Sequence, residues 1–314
     1  MLRYTVKRLL MLFPVLLGIS VITFLIMCFN PGDPAEITLI AMLDTETPPQ
    51  EAVEALREEM GLNAPVYVRY IRWLDRVLHG DLGYSFQTRR STLDEILLAL
   101  PATIKLATAS MLLSILIAVP IGTISAIKQH SLVDNIGMIG SLLTVSIPDF
   151  LIAILLIIMF SLHFDIFPVA GYGSVEYWIL PALTLAICMA AITTRLTRSS
   201  MLEVLRQDYI RTARGKGLDE RTVIRRHSLK NALIPVITYM GLQFGWLFGG
   251  TVIIETIFAW PGIGRLLVES IYTGDFLVTQ GCVMFIAAIF VFINLVVDVS
   301  YRFIDPRIRY EGEG

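Results

Sequence analysis

Few polar groups in this sequence stand where a reaction could use them. Asp149 directly follows Pro148 inside the apolar run 135–160. A carboxylate at the centre of a bilayer costs ~2.5–3.5 kcal/mol on insertion scales. Asp149 is therefore either a pathway residue beside carbonyls freed by a proline kink or a structural acid satisfied by its neighbours. Glu255 is the second pathway candidate, although it and Asp298 lie nearer the ends of apolar runs, where acids more often close or pack a helix. His79, His130 and His163 are scattered, with no pair four residues apart, so metal ligation is not indicated. Cys28, Cys188 and Cys282 all fall in apolar runs without a CxxC spacing and read as small packing residues. No G-x-S-x-G, H-E-x-x-H or paired intramembrane aspartate occurs, which leaves no catalytic set.

The densest chemistry is basic. Residues 195–230 carry ten Lys and Arg against four acids, with the stretch RTARGKGLDE at 211–220. A phosphate loop is excluded, because Gly215-Lys216-Gly217 lacks both the earlier glycine and the hydroxyl that G-x-x-x-x-G-K-[ST] supplies. A nucleic-acid platform would interleave aromatic residues with the basic ones, and Tyr209 alone does not do so here. Two readings remain, a topogenic charge cluster or a docking element. The second is favoured by order: Leu202, Leu205, Tyr209, Ile210 and Ala213 recur at near-helical spacing, and Gly217 can end that helix. Asp219 can then cap a second helix through Val223, Ile224 and His227. A helix, a glycine break and a helix, with arginines on one side, suits a groove on a soluble partner.

The elements that hold this segment are apolar. Hydrophobic residues make up 55% of the 314, charged residues 17%, and the mean hydropathy is +0.69, outside the soluble range. The net charge of −2 says nothing by itself. Six runs are long enough to cross a bilayer: 9–29, 104–127, 135–160, 178–194, 234–257 and 280–301. The first is expected to stay as an anchor, since it is too long for a signal-peptide core and CFNPGDP offers no cleavage site. Lys and Arg set the orientation. The N-terminus has Arg3, Lys7 and Arg8, whereas residues 30–101 hold six basic against twelve acidic residues and loop 163–177 has no Lys or Arg. Both termini and the basic segment are thus expected in the cytoplasm.

Outside, two short helices are expected in the insertion. Thr47 with Gln50 resembles a capping box, Pro48 suits the first helical position, and Gly61 can close that helix behind Val53, Leu56 and Met60. The second starts at Pro65, with Tyr67, Tyr70, Ile71, Leu74 and Leu78 at helical spacing. Too short to stand alone, both should lie on the bundle, the membrane surface or a partner. Gly241, Gly245 and Gly249, four apart, allow close helix approach in lipid, either to a second subunit or within this chain. The expected organisation is a first anchor through residue 29, an external insertion over 30–103, and a five-helix core over 104–314 with a cytoplasmic coupling loop over 195–233.

DYIRTARGKGLDERTVIRRHSLKNALIP closely resembles the cytoplasmic loop of the inner-membrane permeases of ABC importers, in particular the B-type subunit of the dipeptide, oligopeptide, glutathione and nickel group. The resemblance continues along nearly the whole chain: MLRYTVKRLL, NPGDP, GLNAPVYVRYIRWL, GDLGYSF, LPAT, SIP, TRSSMLEVL, ETIFAWPGIGR and DPRIR occur in order. The family's E-A-A-x-x-x-G pattern, aligned on Gly217, falls on Arg211, Thr212 and Ala213, so the leading acid is absent here.

The resemblance implies an all-α, six-helix membrane protein of type I importer architecture with the two-helix external insertion, in a bacterial or archaeal inner membrane. It implies no catalysis by this chain, no cofactor of its own, and ATP and Mg bound by partner subunits. The implied partners are a second, C-type permease subunit, two cytoplasmic ATP-binding subunits and an extracytoplasmic substrate-binding protein. The coupling residues it implies are Tyr209, Arg211, Thr212, Ala213, Gly215, Gly217, Leu218, His227 and Leu229. Small peptides are the favoured cargo, with nickel or another metal chelate as the alternative. A stand-alone secondary transporter would need an inverted repeat or a mid-bilayer ion site, and the two halves show no repeat.

Overall fold

The computed structural model describes residues 2–29, 32–43, 45 and 47–304. Met1, the first two residues of NPGDP, the DPRIR segment and the C-terminal tail lie outside the described residues. The described chain is helical: α1 (Leu2–Cys28), α2 (Pro34–Leu43), α3 (Gln50–Glu59), α4 (Val66–Leu78), α5 (Thr92–Ile127), α6 (Leu132–Ser146), α7 (Asp149–Leu156, continued by a wide π turn at Ile157–His163) and α8 (Glu176–Leu205). These are followed by α9 (Asp208–Gly215), α10 (Glu220–Thr222, continued by a π turn at Val223–Leu229), α11 (Lys230–Gly250), α12 (Val252–Ile257), α13 (Ile263–Tyr272) and α14 (Phe276–Ile304). Five of the described helices are long and apolar enough to span a membrane, and the pair α6 and α7 makes a sixth if counted as one span.

That pair is bent by 107°. The run over 135–160, expected as one span kinked at Pro148, is therefore two helices, and the reason is local. Pro148 cannot donate an amide and holds Ile147 extended at ψ 128°, so α7 restarts at Asp149.

The chain divides into two compact units, residues 1–104 with 260–291, and residues 105–259 with 292–314. In the first, α4 lies on α1 and α2 on α3. Among the described residues three short helices thus stand between α1 and α5, one more than expected, because α2 (PAEITLIAML) is mostly apolar, with Glu36 its one charge, and carries no amphipathic period. Helix α3 starts at Gln50 behind Pro49 with no side-chain cap, so the box expected at Thr47 is not used. Gly61 does close α3: at φ +66° its amide bonds Glu58 O at 2.9 Å, while that of Leu62 bonds Arg57 O at 3.0 Å. Ala35, Leu39, Leu56 and Phe86 form the core beside these helices. Burial pushes the Asp275 carboxyl above the usual carboxylate range, opposed by the Ser85 hydroxyl that donates to it at 2.5 Å.

Trp260 is fully buried, and its Nε1–H donates to Ala102 O at 2.9 Å, next to the bond from Ile263 N–H to Thr103 Oγ1. Trp260→Phe keeps most of the ring but leaves that carbonyl without its side-chain donor, at a cost of about 1–3 kcal/mol. Thermal unfolding of the purified protein in one detergent should show a lower midpoint.

In the second unit α8 is the central post, packed by α6, α7, α11 and α12. Its inward face is small, with Ala182, Thr184, Ala186, Ala190, Thr193 and Thr197 buried, which lets neighbouring helices approach closely.

Candidate functional site

The basic segment folds into a compact hairpin hung on α8. After Leu205 the chain leaves the helix, Gln207 is extended at ψ 147°, and α9 starts at Asp208. Eight residues cannot hold a helix in water, so α9 buries one face on its own chain. Ile210 and Ala213 pack with Val223. Ala213, named among the coupling residues, is buried: its small side chain serves this internal contact.

The other end of the hairpin is fixed by polar bonds. Asn231 Nδ2 donates to the Tyr209 hydroxyl at 3.1 Å and to His227 O at 2.9 Å, and the Ser228 hydroxyl donates to Val223 O. Asp219 caps the restart, its carboxylate accepting the Arg221 amide at 3.1 Å. Arg214 reaches across the turn to Glu220 with two bonds of 3.1 and 2.6 Å, and that bond raises the guanidinium pKa further. Gly217 sits at φ +78°, with its amide on Arg214 O at 2.9 Å and that of Leu218 on Ala213 O at 3.4 Å. Expected as the residue that ends the helix, Gly217 is that residue.

The face left outward carries Tyr209, Arg211, Thr212, Gly215, Lys216, Gly217 and Leu218, all exposed. Leu229 instead belongs to the apolar cluster of Ala126, Met201 and Ala232, and His227 is half-buried. The arrangement performs no bond chemistry. It is a stiff, cationic knob at the end of a long helix.

Asp149 is half-buried in the first turn of α7, where a carboxylate is favoured by the helix dipole, and its Oδ1 accepts the Phe150 amide at 2.9 Å. Glu255 is wholly buried in α12 and accepts from the Thr251 hydroxyl at 3.2 Å. The two share packed elements, since α12 lies against α7. In the glycine series, a Cβ at Gly241 would stand 2.8 Å from Val297 Cγ2 and one at Gly245 would stand 3.2 Å from Ile293 Cγ2. Both face this chain's own α14, so of the two packing readings the internal one describes them. Gly249 is exposed.

Residues 118–310 match the family described as binding-protein-dependent transport system inner membrane component, and residues 1–107 match the N-terminal region of such membrane components. The chain belongs to this family. It is a multi-pass permease subunit of an ABC importer, a non-catalytic component that works with an ATPase and a substrate-binding protein. The permease is 42% identical to the glutathione transport system permease protein GsiC of Salmonella paratyphi A over 311 residues, 99% of this chain and 100% of that one. It is 40% identical to GsiC of Escherichia coli K12 over the same shares. The crystal structure of an amino acid ABC transporter with histidines has a TM-score of 0.52 at 15% identity, covering 68% of this chain and 94% of that chain, a likeness of fold alone.

Sequence reasoning missed Asn231, Glu220 and the Asp134–Arg198 pair of the permease. Asn231 carries no local signal, because its partner is twenty-two residues away. Asp134 had one: Ser131 and Asp134 form an S-x-x-D cap, and the Asp134 amide bonds Ser131 Oγ at 3.3 Å. The glycine geometry gives a direct test. Gly241→Ala should cost about 1–3 kcal/mol by forcing Val297 aside, whereas Gly249→Ala should be neutral within about 0.5 kcal/mol. Thermal melting of the two variants in the same detergent separates them.

Proposed function

We propose that this permease forms half of the pathway of an ATP-driven importer for small peptides of the glutathione type. The hairpin of α9 and α10 would be its contact with the ATPase. The observation that carries the reading is the geometry of α9: anchored from behind by Ile210 and Ala213, tied through the exposed Tyr209 hydroxyl to Asn231, closed by Gly217, and presenting Arg211, Thr212, Lys216 and Leu218 outward. A rigid knob of this kind transmits a push, while a loop that only fixed topology would need no such anchoring. The cargo rests on the glutathione permeases that match end to end, with nickel or another chelate as the alternative.

In this reading the segment 195–233 and both termini are cytoplasmic, following the basic residues, and the insertion 30–103 meets the binding protein outside. Two ATP-binding subunits draw together on ATP, and the hairpins move with them as rigid bodies, opening the pathway outward and then inward. A second permease completes the pathway. The face for it runs along α11 and α12 through Leu242, Trp246, Gly249 and Ile253, all exposed and spaced near helical repeats. Asp149, at the break between α6 and α7, is the preferred pathway residue. Glu255, wholly buried, is assigned to holding α12.

The test is reconstitution with the partner permease, ATPase subunits and binding protein in nanodiscs. ATP hydrolysis should rise with glutathione or a dipeptide and not with nickel. Stimulation by nickel alone would replace the cargo. Solute movement by the purified permease in liposomes without any ATPase would overturn the coupling reading itself.

A further inference from the structure

Within the first unit, α4 covers a seam between α1 and α14 whose two ends differ in chemistry. Tyr70 on α4 shares a 2.9 Å hydroxyl bond with Ser20 on α1, and Phe24 stands edge-on to Tyr70 with ring centroids 5.3 Å apart. At one end of the seam is a cleft of about 460 Å³ between Met27 of α1 and Phe276 of α14, with Phe24, Trp73 and Tyr84 among its aromatic walls. At the other end is an apolar groove of about 280 Å³, walled by Phe13 and Leu17 of α1, Met284 and Phe285 of α14, and Leu74 and Leu78 of α4. The same faces line both cavities. Leu17, Ser20, Phe24 and Met27 follow at three- and four-residue steps on α1, and Phe276, Gln280, Met284 and Ala288 at four-residue steps on α14.

Three arginines open into the cleft, Arg69, Arg72 and Arg76, three and four residues apart on one face of α4. Among the described residues, no carboxylate pairs with any of them. Glu59 instead accepts the Tyr84 hydroxyl at 2.7 Å and lies 3.9 Å from Arg89. Asp75 lies beside His79 at 3.7 Å. Arg69 rests over the Phe24 ring, 6.0 Å from its centroid. Tyr67, Ile71 and Leu78 of the same helix are exposed apolar groups.

We infer that this seam holds one anionic phospholipid, its phosphate on Arg69, Arg72 and Arg76 and an acyl chain in the groove. A soluble anion would need the arginines alone. The groove follows two helices apolar enough to span a membrane, and a bound chain there continues the surface those helices offer to lipid. The dimensions agree: the α1 residues lining the two cavities run from Phe13 to Cys28, and the middles of the two linings lie about ten residues apart, or roughly 15 Å at ~1.5 Å per residue, close to half a hydrocarbon core. Unpaired guanidiniums beside aromatic rings are suited to a phosphate diester, which takes bidentate bonds.

The test is native mass spectrometry of the importer complex released from mixed micelles holding equal phosphatidylglycerol and phosphatidylcholine. The wild type should retain phosphatidylglycerol in preference, by roughly tenfold or more given three basic side chains. The triple variant R69Q/R72Q/R76Q should fall to parity, and R69K/R72K/R76K should keep most of the preference. Leu17→Trp, which fills the groove and leaves the arginines intact, should release the lipid. Lack of preference in the wild type overturns the assignment, as does preference that survives the glutamine substitutions or retention unchanged by Leu17→Trp. Displacement of the lipid by millimolar inorganic phosphate or glutathione would mark the cleft as a soluble-anion site and equally overturn it. None of these outcomes depends on the cargo of the transporter.

Discussion

Gly217→Val is expected to leave yield and membrane insertion unchanged and to reduce ATP-coupled transport at least about tenfold, equivalent to about 1.4 kcal/mol. A Cβ at this position would meet nothing within 4 Å, so crowding is not the cause. The cause is the backbone, held at φ +78° by the amide bonds of Gly217 and Leu218 to the end of α9. A β-branched residue in that region costs roughly 1–3 kcal/mol, and the turn can relieve it only by opening. Opening breaks the two-bond pair of Arg214 with Glu220, because that pair spans the turn. Helix α9 then loses its fixed direction relative to α10, and a push on one is no longer delivered to the other. Asn tolerates the left-handed region, so Gly217→Asn should retain most of the coupling, with alanine between the two. The measurement is uptake of labelled substrate into proteoliposomes beside ATP hydrolysis in the same vesicles. Valine transporting as well as glycine would separate the hairpin from coupling.

Gly217 and Gly61 were legible in the sequence because a helix-closing glycine is a local decision: the residue type, the position after an apolar period and the next polar residue suffice. The spans were legible for a similar reason, since length and apolarity within one run answer to the bilayer. Their ends were less so. Helix α8 extends eleven residues beyond the expected Thr194, because Arg195, Arg198 and Glu203 are no obstacle to a helix although they end an apolar run. Pro148 was visible as a kink, but not the size of the bend, which depends on what α7 packs against. Ala213 shows the clearest limit. A small residue at helical spacing permits close approach, and nothing in its own neighbourhood tells whether the approaching surface is a partner or Val223 of the same chain. Gly241 and Gly245 posed the same ambiguity, decided by Val297 and Ile293 more than forty residues away.

The largest loss of stability is expected from Asp134→Ala. Asp134 on α6 is buried, and Arg198 on α8 holds both its carboxylate oxygens, at 2.6 and 2.8 Å. The His130 amide, presented by a residue at φ +62°, bonds the same carboxylate at 2.9 Å. Alanine removes the acceptor of all three bonds and leaves the guanidinium, only 22% exposed, without its counter-charge. Losing one partner of a buried pair costs about 3–5 kcal/mol, and the residual access of Arg198 to water places this case near about 3 kcal/mol. Asp134→Asn keeps one acceptor oxygen and should fall between. The double variant Asp134→Leu/Arg198→Met leaves no buried charge and should recover much of the loss, because the pair's attraction is largely offset by its desolvation. A double-mutant cycle on thermal unfolding in detergent measures the coupling directly, with about 2 kcal/mol or more expected. A value under about 0.5 kcal/mol would make the contact incidental. Under the proposed function the position of the pair matters as well: Arg198 stands two turns before α8 ends at Leu205, so α6 braces the helix from which the proposed coupling hairpin hangs. Asp134→Ala should therefore lower the ratio of transport to ATP hydrolysis in the folded fraction, while the leucine and methionine pair, neutral and packed, should hold that ratio closer to wild type.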